Sequence, residues 1–279
     1  MQTGQPSRTA LSAASHRAAH QVLEGGRIFT DPLAARILDR DPAEIAGEAK
    51  ARPDRRAMRL FIAARTRFAE DALAAAVGRG VRQLVVLGAG LDTFAYRNPF
   101  VGDGLKVFEV DHPDTQAWKR ERLAQAGITA PDRLTFAPVD FERTDLADGL
   151  AAAGFDAAQA AFFTWAGVVP YLTRDAVLAT LRFIAGLPTG TEVTFDYGNP
   201  PTSLPLPQRL AQSRRAARVA AVGEPWLTYF ESDDLAAELR GLGFTEIEDL
   251  GPAEIGLRYF GATASDRRRR GGHVIRAAR

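Results

Sequence analysis

The run VVLGAGLDTFAYR at residues 85–97 constrains this chain most: three apolar residues lead into two glycines, and an acid follows. A strand that stops at a glycine turn and restarts as a helix presents bare backbone N–H groups and a positive helix end, which attract a nucleotide or another anionic group. Gly88 and Gly90 supply GxG, but Thr93 stands where the dinucleotide fingerprint has its third glycine. The turn therefore demands a strand–turn–helix unit without choosing its ligand.

The segments around the turn fit an α/β fold. Downstream of Gly80, short apolar runs alternate with helical stretches, as in a mostly parallel sheet. Strands are expected at 82–88, 105–111, 134–140, 160–166 and 191–197, with helices at 114–126, 143–153 and 173–186. A capped helix, ESDDLAAELRGLGF, precedes two late runs, FTEIEDL and GGHVIRAAR, which read as an antiparallel hairpin finishing the sheet. Upstream, residues 7–78 read as helices, including one that starts at Asp31-Pro32 and a long one that aligns Leu60, Phe61, Ala64, Phe68 and Ala72 on one face. Arg65 lies at the edge of that face and Arg59 nearly opposite. Residues 198–230, with a proline cluster and a basic helical piece, read as an insertion over the carboxyl edge of the sheet. The expected organisation is a helical cap at 1–78 and an α/β core at 79–279 that carries this insertion.

Composition narrows the partner. A chain of 279 residues with 46% hydrophobic content can bury one large core. Lysine plus arginine total 35 against 34 acids, so the net charge of +1 offers no broad field for nucleic acid or an anionic membrane. The Arg267–Arg270 run reads as a solvated loop, because no aromatic residue interleaves it. The absence of cysteine excludes disulfides, thiolate metal sites and a cysteine nucleophile. His16 and His20 have helical metal-ligand spacing without a supporting third ligand, so a polar helix face is the better reading. The start has no apolar core of signal-peptide type and no stretch of about 20 apolar residues could span a bilayer, so a cytoplasmic protein with a small partner is expected.

Two further strand ends discriminate among ligands. Asp111 closes the second expected strand 21 residues after Gly90, where an acid can bind both hydroxyls of an adenosine ribose. Asp140, closing the third, can accept from the adenine amine, while the backbone and ring of Phe141 address the base. Acids after strands two and three with no third glycine fit S-adenosylmethionine better than NAD. The plain alternative for Asp140 is an N-cap of the helix beginning near Arg143.

VVLGAGLDTFAYR, FEVDHPDTQAWKRERL at 108–123, VDFERTDL at 139–146 and FIAARTRFAED at 61–71 together resemble the leucine carboxyl methyltransferase family, most closely its bacterial S-adenosylmethionine-dependent members, across most of residues 7–197. The resemblance implies a Rossmann-like class I methyltransferase fold. It implies that Arg65 meets the methionine carboxylate of the cofactor or the substrate carboxylate. It further implies that Gly88 and Gly90 line the methionine portion, Asp111 holds the ribose, and Asp140 with Phe141 frames the adenine. Ala89, His112 and Trp165 beside these turns complete the expected cofactor set. Tyr171 matches a tyrosine near the transferred methyl, and Arg8 a basic residue facing the site.

The chain departs from that pattern at Trp165-Ala166-Gly167-Val168, where phosphatase-methylating members carry a glutamate. Ala166 cannot supply that carboxylate, which argues for a smaller acceptor, as in secondary metabolism. An acceptor carboxylate is ionised at neutral pH and needs no base, whereas a hydroxyl acceptor needs one, with His112 the first candidate. A small-molecule or peptidic carboxylate held by Arg65 or Arg8 is the expected acceptor. An O-methyltransferase acting on a hydroxyl is the alternative, followed by an NAD(P)-dependent oxidoreductase or a non-catalytic adenosine-nucleoside binding module.

Overall fold

The computed structural model describes residues 7–140, 145–221, 223–261 and 271–279. Three helices come first: α1 (Arg8–Leu23), α2 (Pro42–Ala51) and α3 (Arg56–Gly78). The alternating part follows as β1 (Gln83–Leu87), β2 (Lys106–Asp111), α4 (Pro113–Gln125), β3 (Leu134–Pro138), α5 (Leu146–Ala152), β4 (Phe162–Trp165), α6 (Arg174–Ala185) and β5 (Glu192–Gly198). The chain then continues through α7 (Leu206–Ala220), α8 (Ser232–Gly241), β6 (Glu246–Leu250), α9 (Pro252–Tyr259) and β7 (Gly272–Ala278).

The strands form one sheet in the order β3-β2-β1-β4-β5-β7-β6. β1 pairs in parallel with β2 and β4, and β7 runs antiparallel to both β5 and β6. The two late strands therefore do finish the sheet as an antiparallel pair, with the short helix α9 between them. β1 is buried along its whole length, which is why it reads as the apolar run LVVL after Gln83. Its alternate side chains enter different cores. Val85 and Leu87 pack with Phe163, Trp165 and residues of α6, while Leu84 and Val86 meet Leu73, Ala76 and Val77 of α3. The C-terminal half of α3 is thus a sheet-covering helix, continuous with the α/β core.

One helical expectation changes on folding. The Asp31-Pro32 segment forms successive turns over 32–39 instead of a helix, and its Asp31 carboxylate serves as a hub as well as a local cap. It accepts from Arg17 Nε at 3.2 Å, Thr93 Oγ1 at 2.8 Å and Leu33 N at 3.2 Å. Arg59 lies nearly opposite the apolar stripe of α3. It is buried, and its guanidinium reaches Glu24 at 2.8 Å, because α1 packs across the side opposite the sheet. His20 joins Glu24 at 3.2 Å. His16 on the same helix is held down to about 4, first by burial and then by Arg55, Arg59 and Arg65. No metal-binding cluster of His, Cys, Asp or Glu occurs among the described residues. Among them also, no helix is long and apolar enough to cross a membrane.

Candidate functional site

The carboxyl ends of β1, β2 and β4 open into a cavity of about 840 Å³, at the crevice where the chain order of the sheet reverses on either side of β1. The glycine turn forms its floor. Gly88 and Gly90 have φ of +65° and +47°, a conformation that side chains rarely adopt. A Cβ on Gly88 would stand 2.4 Å from Val168 Cγ2, and one on Gly90 2.9 Å from Ala10 Cβ. Close approach and backbone sign both require glycine here. Ala89 between them is buried and lines the same floor.

Thr93 explains the missing third glycine. It is buried, and its hydroxyl donates to Asp31, tying the turn to the N-terminal segment. Arg17 of α1 reaches the same Asp31, and its Nη2 donates to Leu91 O at 2.5 Å. Arg17 lines the cavity, whereas the Arg8 side chain is exposed and is not among the lining residues. Sequence reasoning missed Arg17, because its bonds to Asp31 and Leu91 cross the chain and no local pattern records them.

Asp111 stands at the tip of β2 over the glycine turn. Gly90 N donates to its Oδ2 at 2.6 Å and His112 N to its Oδ1 at 2.7 Å. Burial pushes its pKa up, and those two backbone N–H groups, with Lys119 and His112, oppose the shift. His112 caps α4, its Nδ1 accepting from Asp114 N at 3.2 Å, and its Nε2 lies 3.9 Å from Asp140 Oδ2. Asp140 lines the cavity too. It does not cap the next helix, because Asp145 fills that role for α5. Phe141 lies outside the described residues.

On the β4–β5 side, Arg65 Nη1 donates to Asp196 Oδ2 at 2.9 Å, and the other Asp196 oxygen accepts from Gly167 N at 2.5 Å. Gly167 has φ +76°, and a Cβ there would meet both Arg65 terminal nitrogens at 2.7 Å. Arg65 Nε is buried without a hydrogen-bond partner among the described residues. Asp196 was not legible as a site residue, since nothing local marks it within TEVTFDY. Trp165 is a correction. Thr164 and Ala166 face the cavity, and strand alternation sends Trp165 to the other face, fully buried against Phe195.

Tyr171, in a 3-10 turn at Val169–Tyr171, lines the cavity, and burial raises its pKa while a side-chain hydrogen bond from Trp226 opposes the rise. The insertion closes that wall. Glu224 accepts from Arg8 N at 3.2 Å and Thr9 N at 3.1 Å, so a carboxylate from the insertion sits at the positive end of α1.

One ionic pair lies just beneath the site. Lys119 Nζ and Glu109 Oε2 are 2.6 Å apart, and both side chains are 1% exposed. Burial pushes Glu109 up to about 7, with Lys119 opposing it. Gln116 of α4 donates to the backbone oxygens of Glu109 and Ala137, which fastens the helix to β2 and β3.

The family model for leucine carboxyl methyltransferase matches residues 10–185. A Bacillus subtilis protein named "Putative S-adenosyl-L-methionine-dependent methyltransferase YktD" is 35% identical over 71% of this chain, and the match spans 65% of YktD, just under two thirds of its length. A Mycobacterium avium protein of the same descriptive name is 33% identical over 75% of this chain and 70% of its own. Among solved structures, a Streptomyces avermitilis DUF574-family protein covers 95% of this chain and 97% of its own, with a TM-score of 0.54 at 20% identity, a likeness of fold.

Proposed function

This chain belongs to the leucine carboxyl methyltransferase family, and we propose that it methylates a carboxylate of a small-molecule or peptidic acceptor. It is an S-adenosylmethionine-dependent methyltransferase. The residues present fit that cofactor. The glycine floor would be filled by any Cβ, Asp111 stands where a ribose needs an acceptor, and Arg65 retains an orphaned buried donor for a carboxylate.

When bound, S-adenosylmethionine supplies a sulfonium methyl, which an oxygen nucleophile takes as the C–S bond breaks and its electron pair stays on sulfur. Asp111 would accept from the ribose hydroxyls, with Gly90 and His112 fixing its orientation. Asp140 would accept from the adenine amine, and Arg65 would hold the methionine carboxylate. The protein's work is alignment, exclusion of water and fixing the acceptor charge.

The observation that carries the carboxylate reading is the state of His112, the one imidazole among the described residues lining the cavity. Its Nδ1 is spent on capping α4 and its Nε2 faces Asp140, the residue that this reading assigns to the adenine. A hydroxyl acceptor would need a base near the methyl, whereas a carboxylate needs only a cation and a dry wall. With Arg65 turned to the cofactor, Arg17 is the other cation that lines the cavity among the described residues, and Val168, Leu172 and Leu227 supply apolar surface.

Two measurements check this reading. Calorimetry should show binding of S-adenosylhomocysteine and no comparable binding of NADH; tight NADH binding without S-adenosylhomocysteine heat would refute the cofactor assignment. Labelled methyl transferred to the acceptor should then be released as methanol in mild alkali, as esters are. Label that survives this treatment would place the methyl on a hydroxyl or a nitrogen and refute the carboxyl assignment.

A further inference from the structure

We infer that Asp196 is a positioning residue for cofactor recognition: it holds Arg65 by Nη1 and thereby presents the opposite edge of that guanidinium to the methionine carboxylate. The inference rests on the methyltransferase reading above and goes beyond it, because Asp196 itself touches neither the ribose nor the adenine subsite.

The geometry has three parts. Asp196 uses one oxygen for Arg65 Nη1 at 2.9 Å and the other for Gly167 N at 2.5 Å, so the carboxylate is fixed at both ends. Gly167 has no Cβ, and one would stand 2.7 Å from each terminal nitrogen of Arg65, so the guanidinium rests directly on the backbone of the turn after β4. The Arg65 and Asp196 side chains are 12% and 9% exposed. The pair is therefore held with little water to compete.

Occupying Nη1 has a chemical consequence. A guanidinium grips a carboxylate through two parallel N–H bonds, and the edge formed by Nε and Nη2 is one such fork. That edge makes no hydrogen bond among the described residues, and its Nε is buried, an arrangement that is costly unless a ligand completes it. A long arginine side chain without its brace would sample other rotamers and lose that preorganisation. Asp196 also lowers the net charge that the ligand carboxylate meets, so recognition there depends on geometry more than on raw attraction.

Adenosine separates this role from a general structural one, because it shares the ribose and base of S-adenosylhomocysteine but lacks the amino-acid end. Asp196→Asn places an amide N–H₂ against Arg65 or Gly167, a donor facing a donor. It should weaken S-adenosylhomocysteine binding about tenfold in calorimetry and leave adenosine affinity within about twofold. Added to Arg65→Met, it should cost no further affinity, since the two side chains act as one unit. Asp196→Glu retains the charge and should recover part of the loss; if Asp196→Asn does not fold, the same two titrations on Asp196→Glu should show about a threefold loss confined to S-adenosylhomocysteine. Equal losses for both ligands, or no loss for either, would overturn the inference. Equal wild-type affinities for the two ligands would overturn it as well. Failure of the wild-type protein to bind S-adenosylhomocysteine at all would instead overturn the methyltransferase reading on which it stands.

Discussion

Asp111→Ala is expected to weaken S-adenosylhomocysteine binding at least tenfold while the protein remains folded. A hydrogen bond to a charged group contributes about 1.5–3 kcal/mol, and each 1.4 kcal/mol is about tenfold in affinity. The substitution also removes the acceptor for Gly90 N and His112 N, so the turn loses its orientation along with its ligand contact. Asp111→Asn separates the two effects, because it keeps the shape and one acceptor oxygen but gives up the charge. Calorimetry of both variants beside urea denaturation checks the expectation. Unchanged affinity in Asp111→Ala would place the ribose elsewhere in the cavity.

Lys119→Met should have the largest effect on stability, a loss that grows above pH 7 to about 2–3 kcal/mol near pH 9 in urea denaturation, because it strips the partner from a buried carboxyl group that must then stay protonated. Combining it with Glu109→Gln should recover most of that loss, since no buried charge then remains. The pH dependence has a definite sign. Burial raises folded Glu109 to about 7 from a reference of 4.5, so between those values the folded state holds a proton that the unfolded chain has released. Its contribution to stability is complete below the unfolded value and is lost as pH rises through about 7. Glu109→Gln should flatten that slope. Should Lys119→Met prove as stable as the parent, the pair is not the ionic keystone that its geometry indicates.

Local chemistry made most of the sheet legible. Each strand end expected from an apolar run stopping at Gly or Asp lies close to an observed end: Gly88 after β1, Asp111 in β2, Asp140 just beyond β3. The same runs carried the site, because in such a sheet a strand's carboxyl end is also a ligand's position. What escaped was contact across distance. Asp31 reads as a helix start but is a buried hub for Arg17 and Thr93. Arg59 lies nearly opposite the apolar stripe by helical phase, and what the phase does not record is that α1 covers that second side of α3 and buries it. Asp196 is 131 residues from Arg65, and no periodic pattern records a pairing of that kind. Trp165 was misplaced for a different reason: resemblance fixed its segment, but strand parity decides which neighbour faces the ligand.

The place of β7 bears on how the protein can be made. It follows every other described strand in the chain, yet it fills the gap between β5 and β6. Seven residues of β5, Glu192–Gly198, pair with it, and β6 has β7 as its sole neighbour in the sheet. During translation, the parallel half of the sheet can assemble while the β5 edge stays open and β6 has nothing to pair with. A nascent chain stalled before residue 272 therefore displays two unpaired edges, a template for association with other nascent chains.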